Sequence, residues 1–132
     1  MEDVSILRDP PVEEDALNGL FRAAWNLHRK RDFRKSLRHS LAYFVARDSD
    51  RLIGFVNVAW DGDQHAFLLD VTVHPSVQRQ GIGTRLLVEA AEAARQRGCE
   101  WLHVDFEPEL DPFYRKAGYR PTAAGLRLPS RR

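Results

Sequence analysis

The amino-acid sequence predicts an α/β (α+β) fold with a mixed, mostly antiparallel sheet and flanking helices. Its 132 residues fall within the usual size of one domain, so we expect residues 1–132 to form a single domain. Short alternating segments in the middle of the chain predict three successive strands. An amphipathic segment opened by glycines then predicts a helical crossover to a further strand.

The N-terminal third is expected to form a strand and two helices. Residues 4–8 alternate apolar and polar side chains, which is typical of a strand. Residues 13–28 carry apolar side chains three and four positions apart, which predicts an amphipathic helix. A short second helix is expected over residues 32–39, with Asp32 as its N-cap.

The middle of the chain is predicted to be a meander whose strands are joined by turns rich in aspartate and glycine. Its three strands are expected over residues 41–46, 52–60 and 66–73. Strict alternation along the third strand would place Phe67, Leu69, Val71 and Val73 on one face, and Ala66, Leu68, Asp70 and Thr72 on the other.

Glycine and proline positions predict the secondary structure of the C-terminal third. A long helix over residues 84–97 is closed by Gly98, and a strand over residues 101–106 follows it. Asp111-Pro112 is a typical helix start, and that helix ends by Gly118. Two final short strands are expected over residues 119–122 and 125–128.

Composition and charge exclude several classes of protein. The chain has 20 Lys and Arg against 19 Asp and Glu, so net charge gives no strong case for binding nucleic acid. With a single cysteine, Cys99, no internal disulfide or Cys-rich zinc site is possible, which fits a reducing cytoplasm. No apolar run approaches the ~20 residues of a membrane span, and no secretory signal is expected. The five histidines lack metal-ligand spacing, so we predict no metal site.

The most informative segment is the glycine-rich turn that opens the long helix. A strand ending at Val73 leads into Gln78-x-x-Gly81-x-Gly83. The first turn of a helix presents unpaired backbone N–H groups and a partial positive charge, and glycine lets a ligand approach that backbone. Such a turn can bind an anion, usually a phosphate. On its own, however, a Gly-x-Gly helix start is a weak signal.

Two common phosphate-binding motifs do not fit this turn. A Walker loop needs Gly-Lys followed by Ser or Thr, whereas Thr84 directly follows Gly83 here. A dinucleotide fingerprint needs a third glycine, whereas position 86 is Leu86.

Two sequence signatures resemble those of the GNAT acetyltransferase superfamily, and small unassigned bacterial members are the most similar. The first reads Val73-His74-Pro75-x-x-Gln78-x-x-Gly81-x-Gly83-Thr84-x-Leu86-Leu87 and is similar to the family's acetyl-CoA motif. The second reads Phe113-Tyr114-x-x-x-Gly118-Tyr119. Both occur in the family's order, and the predicted element order matches the family fold, in which two central strands splay apart to admit the cofactor.

The resemblance implies a set of cofactor-binding residues and a direct transfer of acetyl from acetyl-CoA to an amine. In the family, the backbone of the strand before the loop faces the pantetheine arm, which here implies Val71, Thr72 and Val73. The loop amides hold the pyrophosphate, which implies Gln78, Arg79, Gln80, Gly81, Ile82, Gly83 and Thr84. The resemblance also implies that Tyr114 is catalytic. A tyrosine with a reference pKa of about 10 is a suitable donor to a thiolate of pKa about 8.5 or above.

Two departures from the family pattern affect the expected chemistry. No asparagine precedes the second signature, and Phe67 occupies the position at which some members carry a glutamate base. The side chains that could replace this base are Asp63, His65, Asp70, His103 and Glu107, and the sequence does not choose among them.

The nature of the acceptor and the partners stays open at this point. The basic segment over residues 28–39 favours an acidic amine, whereas Asp61 and Asp63 favour a cationic one. We expect a small-molecule or peptide amine acceptor, no membrane or nucleic-acid partner, and a possible homodimer. The alternatives are a non-catalytic acyl-CoA-binding or regulatory module, or a protein that binds a polyanion through its basic segment.

Overall fold

Five strands form one mixed sheet in the order β1-β2-β3-β4-β5. We describe residues 3–130 from a computed structural model. The strands are β1 Val4–Arg8, β2 Ser40–Asp48, β3 Arg51–Trp60, β4 His65–Val73 and β5 Trp101–Val104. Neighbouring strands from β1 to β4 are antiparallel, and β5 pairs with β4 in parallel. A parallel neighbour requires a crossover connection, and the long predicted helix supplies it.

Helices cover both faces of this sheet. They are α1 Glu14–Ala24, α2 Phe33–Leu37, α3 Ile82–Gln96 and α4 Asp111–Lys116, with short 3₁₀ turns at Pro75–Val77 and Pro108–Leu110. The main core lies between α3 and strand residues such as Val56 and Val58. A second core, around Phe33 and Phe55, lies under α1 and α2. Because alternate strand residues enter different cores, the two helix layers lie on opposite faces of the sheet.

Helix α3 packs directly against the backbone of β3 at Gly54. A Cβ atom at this position would lie 3.0 Å from Leu86 Cδ1, 3.1 Å from Ala46 Cβ and 3.3 Å from Ile82 Cγ2. The start of α3, which carries the glycine-rich turn, is thereby held close to the sheet.

Helix α1 ends at Ala24, four residues before the predicted end. Trp25 takes an extended conformation, and the chain continues as a linker over residues 25–32. Asn18, buried within α1, holds this linker: its amide nitrogen donates to the Arg31 carbonyl and its amide oxygen accepts the Arg31 N–H, both at 3.0 Å. The spacing of apolar residues, which predicted a helix as far as residue 28, gives no information about hydrogen bonds made by a polar side chain such as Asn18.

The predicted C-terminal strands do not form in the described part of the chain. Strand β5 ends at Val104, and residues 119–128 have no strand structure. Leu126 is 88% exposed, so this segment buries too little apolar surface to be held as a hairpin against a four-residue edge. A cavity of about 1320 Å³ between α3, β5 and residues 119–126 lies along that edge instead.

Candidate functional site

The loop between β4 and α3 forms an open cradle of backbone N–H groups. Gly81 has a φ of +83°, and a Cβ atom there would meet no atom within 4 Å. Arg79 also has a positive φ, of +66°. The Arg85 N–H donates to the Gly81 carbonyl at 3.1 Å, so the N–H groups of residues 82–84 precede the first helical hydrogen bond. Successive N–H groups at the positive end of a helix dipole can bind a phosphate.

The side chains of the predicted loop residues shape this cradle in different ways. Gln78 donates its amide to the Val73 carbonyl at 3.2 Å and so holds the loop against the end of β4. Ile82 is buried and anchors the helix start in the main core. Gln80 and Thr84 are exposed. The prediction that these residues bind a cofactor through their backbone stays a prediction.

Gly83 has a packing role in addition to its place in the cradle. A Cβ atom at Gly83 would lie 3.1 Å from Phe113 Cζ and 3.7 Å from Val73 Cγ2. The two sequence signatures therefore meet in space, because Phe113 of the second signature lies against the first turn of α3.

Strands β4 and β5 pair only over four residues each. Their ladder runs from His65 opposite Trp101 to Leu68 opposite Val104, and no further pairing joins the described residues beyond it. A bulge follows in β4, where Asp70 has a φ of +58° and the register with β3 shifts. The splayed arrangement expected of the two central strands is thus present at the end of β4 that leads into the cradle.

The bulge corrects the predicted alternation of β4. Phe67 and Leu69 are exposed on the face opposite α3, whereas Val71 and Val73 pack against the main core on the α3 face. The prediction that these four side chains share one face was therefore wrong. One extra residue in a strand shifts the following side chains to the other face. An aspartate inside an apolar strand was the available signal, since Asp tolerates a positive φ better than most residues.

The predicted catalytic residue, Tyr114, lies in an aromatic cluster beside the splayed strands. It is 3% exposed, and its ring stacks on Phe106 with the ring centroids 4.5 Å apart. Burial raises the pKa of Tyr114 to about 12, so its hydroxyl keeps its proton at neutral pH. Tyr119 packs edge-on against Tyr114, and its buried hydroxyl has no hydrogen-bond partner among residues 3–130.

The linker between α1 and α2 reaches across the other face of β4. Trp25 donates its indole N–H to the Thr72 hydroxyl at 3.1 Å, and Arg31 pairs with the Asp70 carboxylate at 3.3 Å. The Arg31 guanidinium also lies 4.5 Å from the centre of the Phe33 ring. Sequence reasoning missed these contacts because it placed Trp25 inside a helix. The available signal was Asn18, a polar residue within an apolar helix face.

Two of the histidines considered as bases lie side by side. His65 Nδ1 and His103 Nε2 are 2.8 Å apart, and the His103 ring stacks on Phe67 with centroids 4.6 Å apart. Asp70, another candidate base, is instead engaged by Arg31. Trp25 and Trp101 are both about half exposed. Trp60 packs against the main core, beneath the guanidinium of Arg97.

Two further properties concern residues 3–130 as a whole. No helix among them is both long and apolar enough to cross a bilayer. These residues also contain no cluster of three or more His, Cys, Asp or Glu side chains arranged to hold a metal ion.

Comparison with known proteins identifies the family. The sequence matches the model of the Acetyltransferase (GNAT) family over residues 12–119. The chain belongs to the GNAT acetyltransferase family. A GNAT family acetyltransferase from Streptococcus pneumoniae TIGR4 has the same fold, with a TM-score of 0.83 and 26% identity over 98% of this chain and 99% of that one. An aminoglycoside N-acetyltransferase in complex with CoA shares the fold at a TM-score of 0.78 and 19% identity, over 97% of this chain and 95% of that one.

Curated GNAT relatives are matched over part of their length. An uncharacterized N-acetyltransferase of Porphyra purpurea is 30% identical over 60% of this chain and 45% of its own length. A mycothiol acetyltransferase of Rhodococcus erythropolis is 26% identical over 77% of this chain and 38% of its own length. The chain thus spans less than half the length of these two relatives.

Proposed function

We propose that this GNAT chain is an acetyl-CoA-dependent N-acetyltransferase that transfers acetyl directly to a primary amine of a small molecule or peptide. The observation that supports this most is the open Gly81 cradle at the point where β4 parts from β5. Family membership and the fold shared with a CoA-bound acetyltransferase agree with it.

The residues around the cradle are suited to binding acetyl-CoA. The space beside Gly81, which a Cβ atom would occupy, leaves the N–H groups of residues 82–84 accessible to the pyrophosphate. Beyond the bulge, the backbone of Val71–Val73 is available to the pantetheine arm. The unpartnered Tyr119 hydroxyl lies in the adjoining aromatic cluster and is free to donate a hydrogen bond. Acetyl-CoA supplies an activated acetyl thioester.

Tyr114 is proposed as the proton donor to the leaving thiolate. Its hydroxyl is protonated at neutral pH, as a general acid requires, and burial raises its pKa further, to about 12. The stacking of Phe106 and the edge contact of Phe113 fix the ring.

We propose only the chemical class of the acceptor, a primary amine. Relatives include a glucosamine 6-phosphate N-acetyltransferase of Trypanosoma brucei brucei, which is 36% identical over 45% of this chain and 40% of its own length. The basic segment is partly neutralised within the chain, since Arg31 pairs with Asp70 and Arg34 with Asp32. This observation disfavours binding of a polyanion as the main function.

A cytoplasmic location and a homodimer complete the proposal. The single cysteine supports the former. The exposed apolar side chains along the free edge of β5, Trp101 and Leu126, support the latter. Light scattering of the purified chain measures its mass in solution. A monomer at all concentrations would contradict the proposed homodimer.

The test of the function is an acetyl-transfer assay with a broad panel of primary amines. Release of free thiol together with an acetylated product in the mass spectrum supports the proposal. Acetyl-CoA binding with no transfer to any amine favours the alternative, a non-catalytic acyl-CoA-binding module. The phenylalanine at position 67 supports that alternative, since some family members carry a glutamate base there.

A further inference from the structure

We propose that His103 accepts the proton that an acceptor ammonium must lose before attack, and that His65 is a positioning residue for it. This inference rests on the proposed function. The observation that carries it is the contact between His65 Nδ1 and His103 Nε2, which are 2.8 Å apart. At this distance one ring nitrogen donates a hydrogen bond and the other accepts it.

His103 lies beside the point at which the two central strands part. It pairs with Phe67 in the β4–β5 ladder, one residue before the ladder ends at Leu68 and Val104. Leu102 and Val104 pack against the main core on the α3 face, so the intervening His103 projects from the opposite face. An amine can reach this exposed face without displacing α3.

The stacking of His103 on Phe67 fixes the ring on that face. The two rings are 4.6 Å apart between centroids and tilted by only 14°. Phe67 cannot take up a proton, and the carboxylate of Asp70, the next candidate along β4, is held by Arg31. His103 therefore offers a basic nitrogen beside Phe67, where the side chain of β4 has none.

The chain beyond β5 connects His103 with Tyr114. Phe106, three residues after His103, stacks on the Tyr114 ring at 4.5 Å. One short segment therefore links a base for the incoming amine to an acid for the leaving thiolate. Imidazole is suited to the first task because it gains and loses a proton near neutral pH.

Carboxylates border the histidine pair. Asp61 accepts the backbone N–H groups of Asp63 and His65 at 2.7 and 3.1 Å. These hydrogen bonds lower the pKa of Asp61, and the nearby His65 imidazole contributes to a smaller extent. Asp61 is therefore ionised at neutral pH and lies in the turn that leads into His65. Other charged side chains close to the histidine pair in sequence include Asp63 in the same turn, Glu100 before β5 and Asp105, two residues after His103.

The proposed step conserves atoms and charge. His103 Nε2 donates to His65 Nδ1, which leaves His103 Nδ1 as the basic nitrogen. The ammonium gives its first proton to His103 Nδ1, and the neutral amine then attacks the thioester carbonyl. The C–N bond forms and the C–S bond breaks, and the thiolate receives a proton from Tyr114. The second amine proton restores the Tyr114 hydroxyl, and His103 releases its proton to water. Overall, one proton is released for each acetyl group transferred.

The experiment compares two acceptors of similar shape, benzylamine and aniline, the first an ammonium ion and the second neutral at neutral pH. It uses the full chain, His103→Ala, His65→Gln and, as a control, Gln96→Ala, which removes an exposed side chain at the end of α3, outside the site. For His103→Ala we expect kcat with benzylamine to fall roughly 10²-fold, a smaller loss with aniline, and partial rescue by added imidazole. His65→Gln should cause a smaller loss and shift the His103 ring-nitrogen NMR signals. Acetyl-CoA affinity should not change in any variant.

The outcomes separate this inference from the proposed function. Equal kcat for His103→Ala and the parent at every pH overturns the inference alone. So does an equal loss with both amines that imidazole does not rescue, because that pattern indicates a structural role. A parent protein that binds acetyl-CoA but acetylates no alkylamine in the panel overturns the inference together with the proposed function.

Discussion

At the scale of the residue, Tyr114 combines a buried ring with a protonated hydroxyl. Tyr114→Phe keeps the stacking on Phe106 and removes only the acid. We therefore expect kcat to fall by about 10²-fold or more, with the Kd of acetyl-CoA changed by less than about twofold. Stopped assays and calorimetry on the same preparation measure both quantities. An unchanged kcat would remove Tyr114 from the mechanism.

The same burial has a consequence for stability at alkaline pH. The pKa values of Tyr114 and Tyr119 are raised to about 12 by burial, above the value of about 10 expected in the unfolded chain. Both groups contribute stability below pH 10 that is lost as the pH rises towards 12, because the unfolded chain ionises first. Urea unfolding should show a decline in stability over this range, and Tyr114→Phe should reduce the decline. A decline of equal size in the variant would contradict this assignment.

At the scale of the element, one buried amide holds the linker between α1 and α2. Asn18 bonds both backbone groups of Arg31, and its oxygen also accepts from His28 Nε2 at 2.9 Å. Asn18→Ala leaves these groups without their partner and should lower the free energy of unfolding by about 1–3 kcal/mol. Asn26→Ala, at an exposed site of the same linker, should change it by less than about 0.5 kcal/mol. Equal denaturation midpoints for the two variants would show that the clamp contributes nothing.

At the scale of the whole molecule, the close approach of α3 to β3 holds the cradle against the sheet. Gly54→Ala adds a methyl group 3.0–3.3 Å from three side chains and should destabilise the fold by about 1–3 kcal/mol. Gly19→Ala, inside α1 with no atom within 4 Å, should instead stabilise it by about 0.5–1 kcal/mol. Thermal unfolding of both variants measures these two changes in stability, which we expect to have opposite signs. A Gly54→Ala protein as stable as the parent would show that α3 can move away from the sheet.

Local chemistry explains how much of the fold was predictable. Apolar periodicity, together with glycine, proline and aspartate at the ends of elements, predicted three features correctly. These are the meander, the short helix capped by Asp32 and the helix opened by Gly81. The start of the cradle was predicted for the same reason, since its conformation depends on residues adjacent in sequence. Comparison with relatives then confirmed the family that the two signatures resemble.

The remaining features depend on contacts that no short segment encodes. Trp25 and Thr72 are 47 residues apart, and His65 and His103 are 38 apart, so both contacts require the strand register to be known. The bulge at Asp70 inserts one residue without changing the apolar character of β4, so the predicted faces of that strand were wrong beyond it. The two strands predicted over residues 119–122 and 125–128 do not form, because a short segment becomes a strand only where it finds a pairing partner.

The most direct test of the central proposal is acetyl-CoA binding measured by calorimetry in the parent, Gly81→Glu and Gly98→Glu. Both glycines have nearly equal positive φ values, of +83° and +81°, and a Cβ atom at either position would meet no atom within 4 Å. The two substitutions therefore impose similar backbone strain, but only Gly81→Glu places a carboxylate in the cradle. We expect Gly98→Glu to bind like the parent and folded Gly81→Glu to bind more than about tenfold more weakly. Equal binding by all three, or no binding by the parent, would contradict the assignment of the cradle.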